Sequence, residues 1–199
     1  MTAAQAAETT RNSARLWLFR GLLLGGAGFM LVSWFMPWWG ADVNGLPGKD
    51  HLVMHPWGVV VVAEVKAYAD NSLYSMPTFF APLMWLYLGL CMVALAVGLF
   101  VEKQFTLGRF KLSLPQVLIG IVGLSYLIAV VGAFAVAQMK SGDSGVHFLG
   151  SSMVKNPLSG GKVKITGALK LGYWLAVGAG PVLVALALLR NFIVGKART

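Results

Sequence analysis

Four apolar runs constrain this chain more than any other feature. The first, residues 16–39, reads LWLFRGLLLGGAGFMLVSWFMPWW and carries one charge, Arg20, near its start. At about 1.5 Å rise per residue it is more than long enough to cross a hydrocarbon layer about 30 Å thick. Basic residues flank it on one side and tryptophans on the other, the pattern of a helix anchored at two interfaces. Three further runs occupy residues 79–101, 116–137 and 169–194. The expected fold is therefore an all-α integral membrane protein. It is a single domain built as a four-transmembrane-helix bundle, with two ordered extracytoplasmic loops (40–77 and 138–168) and a short inner link (102–115).

Composition agrees. Of the 199 residues, 57% are apolar and 12% charged, where a soluble domain carries about 25% charged residues. The mean hydropathy is +0.73. The formal charge of +9 reads as topology. Lys and Arg gather at the ends of the runs, and no basic stripe with interleaved aromatics suits nucleic acid. The single cysteine, Cys91, lies inside the second run and reads as a small buried apolar residue. The polar start, MTAAQAAETTRN, lacks the short charged opening of a cleaved signal, and the run after it is too long for a signal core; an uncleaved signal-anchor is expected.

The first long loop opens with GADVNGLPGKD, turn-rich and expected to be irregular. VVVVAEVKAYAD follows; its valines favour a strand and AEVKAYA a helix. A short interfacial helix with Pro56-Trp57 at its start is the expectation. In the second loop, Lys162-Val163-Lys164-Ile165-Thr166 alternates polar and apolar after a Ser-Gly-Gly turn, a signal for a strand or hairpin arm.

Small residues mark where helices approach closely. Gly21 and Gly25 have the small-xxx-small spacing, and Ala168, Gly172, Ala176 and Gly180 recur every four residues through the start of the fourth run. Pro181 is expected to kink that span. With four spans, both termini and the inner link share one side. Nine of the 16 Lys and Arg fall there and five of the seven acids fall in the long loops, so both termini are expected in the cytoplasm of a cell whose inner or plasma membrane holds the chain. Four helices with two folded outer loops resemble the general tetraspan layout. The paired extracellular cysteines of tetraspanins and claudins are missing from this sequence, so no kinship follows.

The spans contain no Asp, Glu, His, Lys or Arg between Gly21 and Leu189, which argues against an ion pathway, a proton relay or a bis-histidine haem held by this chain alone. The best constellation for chemistry is Asp50-His51-Leu52-Val53-Met54-His55. On a helix, His51 and His55 would share a face with Met54 beside them. His147 could add a third nitrogen, and imidazole with thioether suits copper. Pro56 works against helical geometry at His55, and the alternative is an interfacial segment whose histidines bond to backbone or headgroups. Trp34, Phe35, Trp38, Trp39, Trp57, Phe79, Phe80 and Trp85 could line a quinone or lipid groove, or simply anchor the interface. Nucleophile-elbow and phosphate-loop patterns are missing.

The expected function is an accessory or structural subunit of a larger integral membrane complex, not an enzyme on its own. It would pack against other integral membrane subunits and ordered lipids; its size and build suit a respiratory or oxidoreductase assembly. The alternative is a copper-binding membrane protein, or a ligand-donating subunit of a membrane metalloenzyme, using His51, Met54 and His55.

Overall fold

A computed structural model describes residues 3–62, 76–101, 103–107, 110–143, 147–155 and 161–194. Four helices carry the apolar runs: α1 (Ala3–Phe35), α2 (Phe80–Phe100), α3 (Leu114–Asp143) and α4 (Leu171–Val194). All four contain stretches long and apolar enough to cross a membrane: Ser13–Phe35, Phe80–Phe100, Leu114–Gly142 and Leu171–Val194.

The chain is not all-α. Among the described residues, seven strands lie between the helices: β1 (Trp39–Val43), β2 (Leu52–His55), β3 (Gly58–Val61), β4 (Gln104–Leu107), β5 (Phe110–Ser113), β6 (Gly150–Lys155) and β7 (Lys162–Leu169). Five of them form an antiparallel sheet in the order β3-β2-β1-β7-β6, and β4 and β5 form a separate hairpin. The expectation failed mainly in the first long loop. The first four residues of its opening, Gly40–Val43, belong to β1 while residues 44–50 are turn as expected, its histidine segment runs into β2, and the valine run is β3, with Pro56-Trp57 turning between strands rather than starting a helix. Four consecutive β-branched valines lose side-chain freedom in a helix and pack well on a pleated surface. Residues 63–70, the rest of the expected interfacial helix, and the following 71–75 lie outside the described residues. The inner link is also a hairpin, with Leu107 paired to Phe110 across two intervening residues. The strand expected at Lys162–Thr166 is present and extends to Leu169.

The chain divides into two compact units, and every helix contributes to both. The first comprises Met1–Met30, Gly89–Leu127 and Gly178–Thr199. Its core contains Phe19, Leu23, Leu95, Ile119, Tyr126 and Leu183, all at most 2% exposed. Here α3 and α4 touch through glycine. A methyl group placed on Gly123 would lie 2.9 Å from the Gly180 carbonyl oxygen, the Val184 nitrogen and Leu183 Cβ, so glycine at this crossing lets the two backbones approach closely. A reciprocal cap starts α3: the Ser113 backbone N–H donates to Gln116 Oε1 (3.2 Å) and the Gln116 N–H donates back to Ser113 Oγ (3.4 Å). Gln116 Nε2 also donates to the Ala187 carbonyl of α4 at 3.3 Å.

The second unit comprises Leu31–Leu88 and Ile128–Val177 and holds the sheet. Both long loops build it. β1 pairs with β2 within the first loop and with β7 of the second, running Trp39 against Leu169 through Val43 against Ile165. One face buries Ala41, Leu52 and Val61 with Trp39, Val43, Val59 and Ile165 packed on them. Trp38, 2% exposed, ties helix to sheet. Its backbone N–H donates to the Met54 carbonyl (2.8 Å), its carbonyl accepts the Lys170 N–H (2.9 Å), and its indole N–H donates to the Ser33 carbonyl (2.8 Å).

Candidate functional site

Three polar side chains of the second unit, Asp42, Asp50 and His51, are engaged together on the β1–β2 hairpin. The turn between these strands uses the left-handed region three times, at Gly45 (φ +96°), Gly48 (φ +102°) and Asp50 (φ +57°). An aspartate there pays a steric cost that glycine does not, and its surroundings offset it. The Asp50 backbone N–H donates to Asp42 Oδ1 (2.5 Å), and its carboxylate pairs with Lys170. Gly40 on β1 makes room for this pair, since a methyl group there would lie 2.6 Å from Lys170 Cε and 2.8 Å from Asp50 Oδ1.

His51, only 4% exposed, completes the hairpin. The Val43 backbone N–H donates to its Nδ1 at 3.2 Å, which leaves Nε2 to carry the proton toward the Pro47 carbonyl at 3.3 Å. That is the neutral imidazole, with both nitrogens serving the loop backbone. Asp42 Oδ1 lies 4.0 Å from Nδ1.

His55 stands in a different setting. Its ring stacks on Trp57 (centroids 4.5 Å apart, 17° between planes), and Trp57 in turn lies 5.3 Å from Trp85. Phe35 meets both tryptophans at 6.1 and 5.8 Å, and Trp34 meets Trp85 edge-on at 6.3 Å. The buried Nδ1 of His55 has no hydrogen-bond partner. Burial pushes the His55 pKa below the ordinary histidine value of 6.5, while a backbone hydrogen bond with Met36 works the other way. In the window between the lowered folded value and 6.5, the unfolded chain binds more protons than the folded one. Stability is therefore full above that window and falls as pH drops through it. We expect His55→Gln to flatten the pH dependence of thermal stability on the acid side of neutrality. An unchanged slope would show that other groups set it.

These placements bear on the sequence-predicted metal set. A strand separates residues four apart by about 13 Å, against about 6 Å on a helix, so His51 and His55 lose the shared helical face that motivated the pairing. Met54 is between them in sequence and, by strand alternation, on the opposite sheet face from His55. His147 precedes β6, is exposed, and donates its backbone N–H to Ser152 Oγ at 2.6 Å. Among the described residues, no three His, Cys, Asp or Glu side chains gather as metal ligands.

The small-residue positions divide into inward and outward ones. Gly172 packs on backbone, its missing side chain leaving room for the Met36 and Pro37 carbonyl oxygens; Ala176 is fully buried; and Gly180 meets Gly123 and Leu127. Ala168 lies in β7 opposite Gly40, so the ladder on α4 itself begins at Gly172. On α1, a Cβ on Gly26 would press within 3.0 Å of Leu183 Cδ2, while among the described residues nothing lies within 4 Å of such an atom on Gly21, Gly25 or Gly28. The sequence reading overlooked the ion pair of Lys170 with Asp50, because 120 residues separate them, and the Ser113–Gln116 cap, whose signature (Ser, then Gln three residues on, before an apolar run) is legible in the chain. Neither a protein-family model nor a curated protein matches the sequence.

Proposed function

We propose that this chain is an accessory subunit of a larger integral membrane assembly. It lies in the membrane by its four apolar helices, with both termini in the cytoplasm and the sheet on the opposite side. The observation that carries this reading is the outward strip on α1. Gly21, Gly25 and Gly28 fall on one helical face at i, i+4 and i+7, flanked by the exposed Leu18 and Val32, and among the described residues nothing lies within 4 Å of where their side chains would be. Lipid tails offer no hydrophobic drive for helices to associate, so bare backbone of this kind is where a neighbouring transmembrane helix packs closely. The polar hairpin supports the same reading, because Asp42, Asp50, His51 and Lys170 are engaged with one another and with the loop backbone and serve to hold the sheet in shape.

The test is the mass of the assembly extracted from its native membrane in mild detergent. We expect a complex well above the 21.3 kDa of the lone chain. Gly25→Leu should release the chain from it while changing the chain's own stability by no more than about 0.5 kcal/mol, as surface substitutions do. A lone chain from wild-type membranes would refute the proposal, as would a variant that stays fully assembled.

A further inference from the structure

We infer that the outer edge of the sheet, strand β6 with the lysine-bearing face of β7 beside it, receives an extended acidic segment of a partner protein as a sixth strand. This inference rests on the subunit reading above and names the chemistry of one contact.

Three observations carry it. First, β6 is an edge: among the described residues its six positions, Gly150–Lys155, pair with β7 alone. A strand with one unpaired side presents a row of backbone donors and acceptors that an extended chain can complete. Second, this edge is apolar where a soluble edge would be blunted: Met153 is 66% exposed and Leu149 just before it 46% exposed. Third, the charge beside it has one sign. On β7, Lys162, Lys164 and Thr166 alternate on the exposed face, and neither lysine has an ion-pair partner among the described residues. The register sets Lys164 opposite Met153 and Lys162 opposite Lys155. From residue 138 to 170 the sequence carries five lysines (Lys140, Lys155, Lys162, Lys164, Lys170) and one acid, Asp143. Lys170 is paired with Asp50, on the other side of β1 from this edge. Asp42 lies opposite Thr166 in the ladder and is engaged by the Asp50 N–H.

Charge also selects the occupant. A second copy joined β6 to β6 would bring the two lysine faces together and add repulsion; a glutamate- or aspartate-bearing strand gains both the ladder and the ion pairs.

The experiment uses the full chain in detergent and a fluorescently labelled peptide of about eight residues, a short strand's length, alternating glutamate and valine. Saturable binding is expected at low salt, weakening about tenfold on raising the salt to a few hundred millimolar, as screening of exposed charges requires. Lys162→Glu/Lys164→Glu should abolish it, Lys162→Arg/Lys164→Arg should retain it, and a peptide interrupted by proline should not bind. The inference is overturned by no saturable binding to the wild type, by equal binding of a lysine–valine peptide, or by unchanged binding in the glutamate variant. Disulfide capture of a second copy through Met153→Cys, uncompeted by the acidic peptide, overturns it as well. The native-mass measurement stays independent. A heavy assembly with no peptide binding removes this inference alone, whereas a lone chain in native membranes removes the subunit reading itself.

Discussion

Gly172→Val should destabilise the chain more than any other single glycine replacement outside the α3–α4 crossing. A Cβ at this position would lie 2.5 Å from the Pro37 carbonyl oxygen and 2.7 Å from that of Met36. Both obstacles are backbone, so neither can swing aside as a side-chain tip would. The segment they belong to is also committed elsewhere, since Trp38 directly follows it and bonds to both Met54 and Lys170. Overpacking in a well-fitted interior costs about 1–3 kcal/mol and more when backbone must move. We expect a loss of about 3 kcal/mol, read as a fall of about 6–12 °C in the thermal unfolding midpoint of the detergent-solubilised chain. Gly21→Val is the control, because among the described residues nothing lies within 4 Å of where its side chain would start. Equal midpoints for the two variants would mean that the Gly172 contact does not hold the second unit together.

Trp38→Ala should have the second large effect, for a different reason. The side chain is 2% exposed and packs edge-on against Tyr173 at 6.2 Å, while its indole N–H caps the Ser33 carbonyl near the end of α1. Truncating a buried aromatic of this size costs about 3–5 kcal/mol through lost transfer energy and the cavity left behind. Trp38→Phe keeps most of the ring and removes the donor, so its cost should be nearer 1 kcal/mol. Amide hydrogen exchange distinguishes the two. The alanine variant should lose protection throughout β1, β2 and the first turn of α4, and the phenylalanine variant only near Ser33. Protection of the sheet unchanged by Trp38→Ala would sink the argument that this residue couples helix and sheet.

The helices were legible because the membrane-type signal is long and redundant. The run read as 79–101 lies at Phe80–Phe100, and that read as 169–194 begins two residues later, at Leu171. The shift follows from strand β7, which claims Ala168 and Leu169 through pairs with Gly40 and Trp39. Likewise, the first run ends as a helix at Phe35, before Pro37 and the two tryptophans, because Trp39 belongs to β1. In the second loop the lysine–valine–lysine–isoleucine alternation announced a strand, since period two is what a half-buried strand requires.

In the first loop the same method failed, and the site went with it. The spacing of His51 and His55 suggested a shared helical face only if the segment was helical. As strand β2 it sends one imidazole to the Val43 and Pro47 backbone and the other onto Trp57. Strands β1 and β2 are short and carry Gly40 and Asp42, residues poor in intrinsic strand preference. Their state is decided by partners far away in the chain: β7, 120 or more residues on, supplies β1's second ladder, and Lys170 supplies the counter-charge for Asp50.

The sequence by itself determined that four helices are long and apolar enough to cross a membrane, and that glycine would set their closest approaches. Both are properties of composition and spacing along one segment, which no distant contact can easily reverse. Only the tertiary structure decided that the two loops close into one sheet, that the histidines part, and that Gly26 faces inward while Gly21 and Gly25 face out. Those outcomes depend on pairing between segments, and a ladder's energy is realised only when both strands are in place.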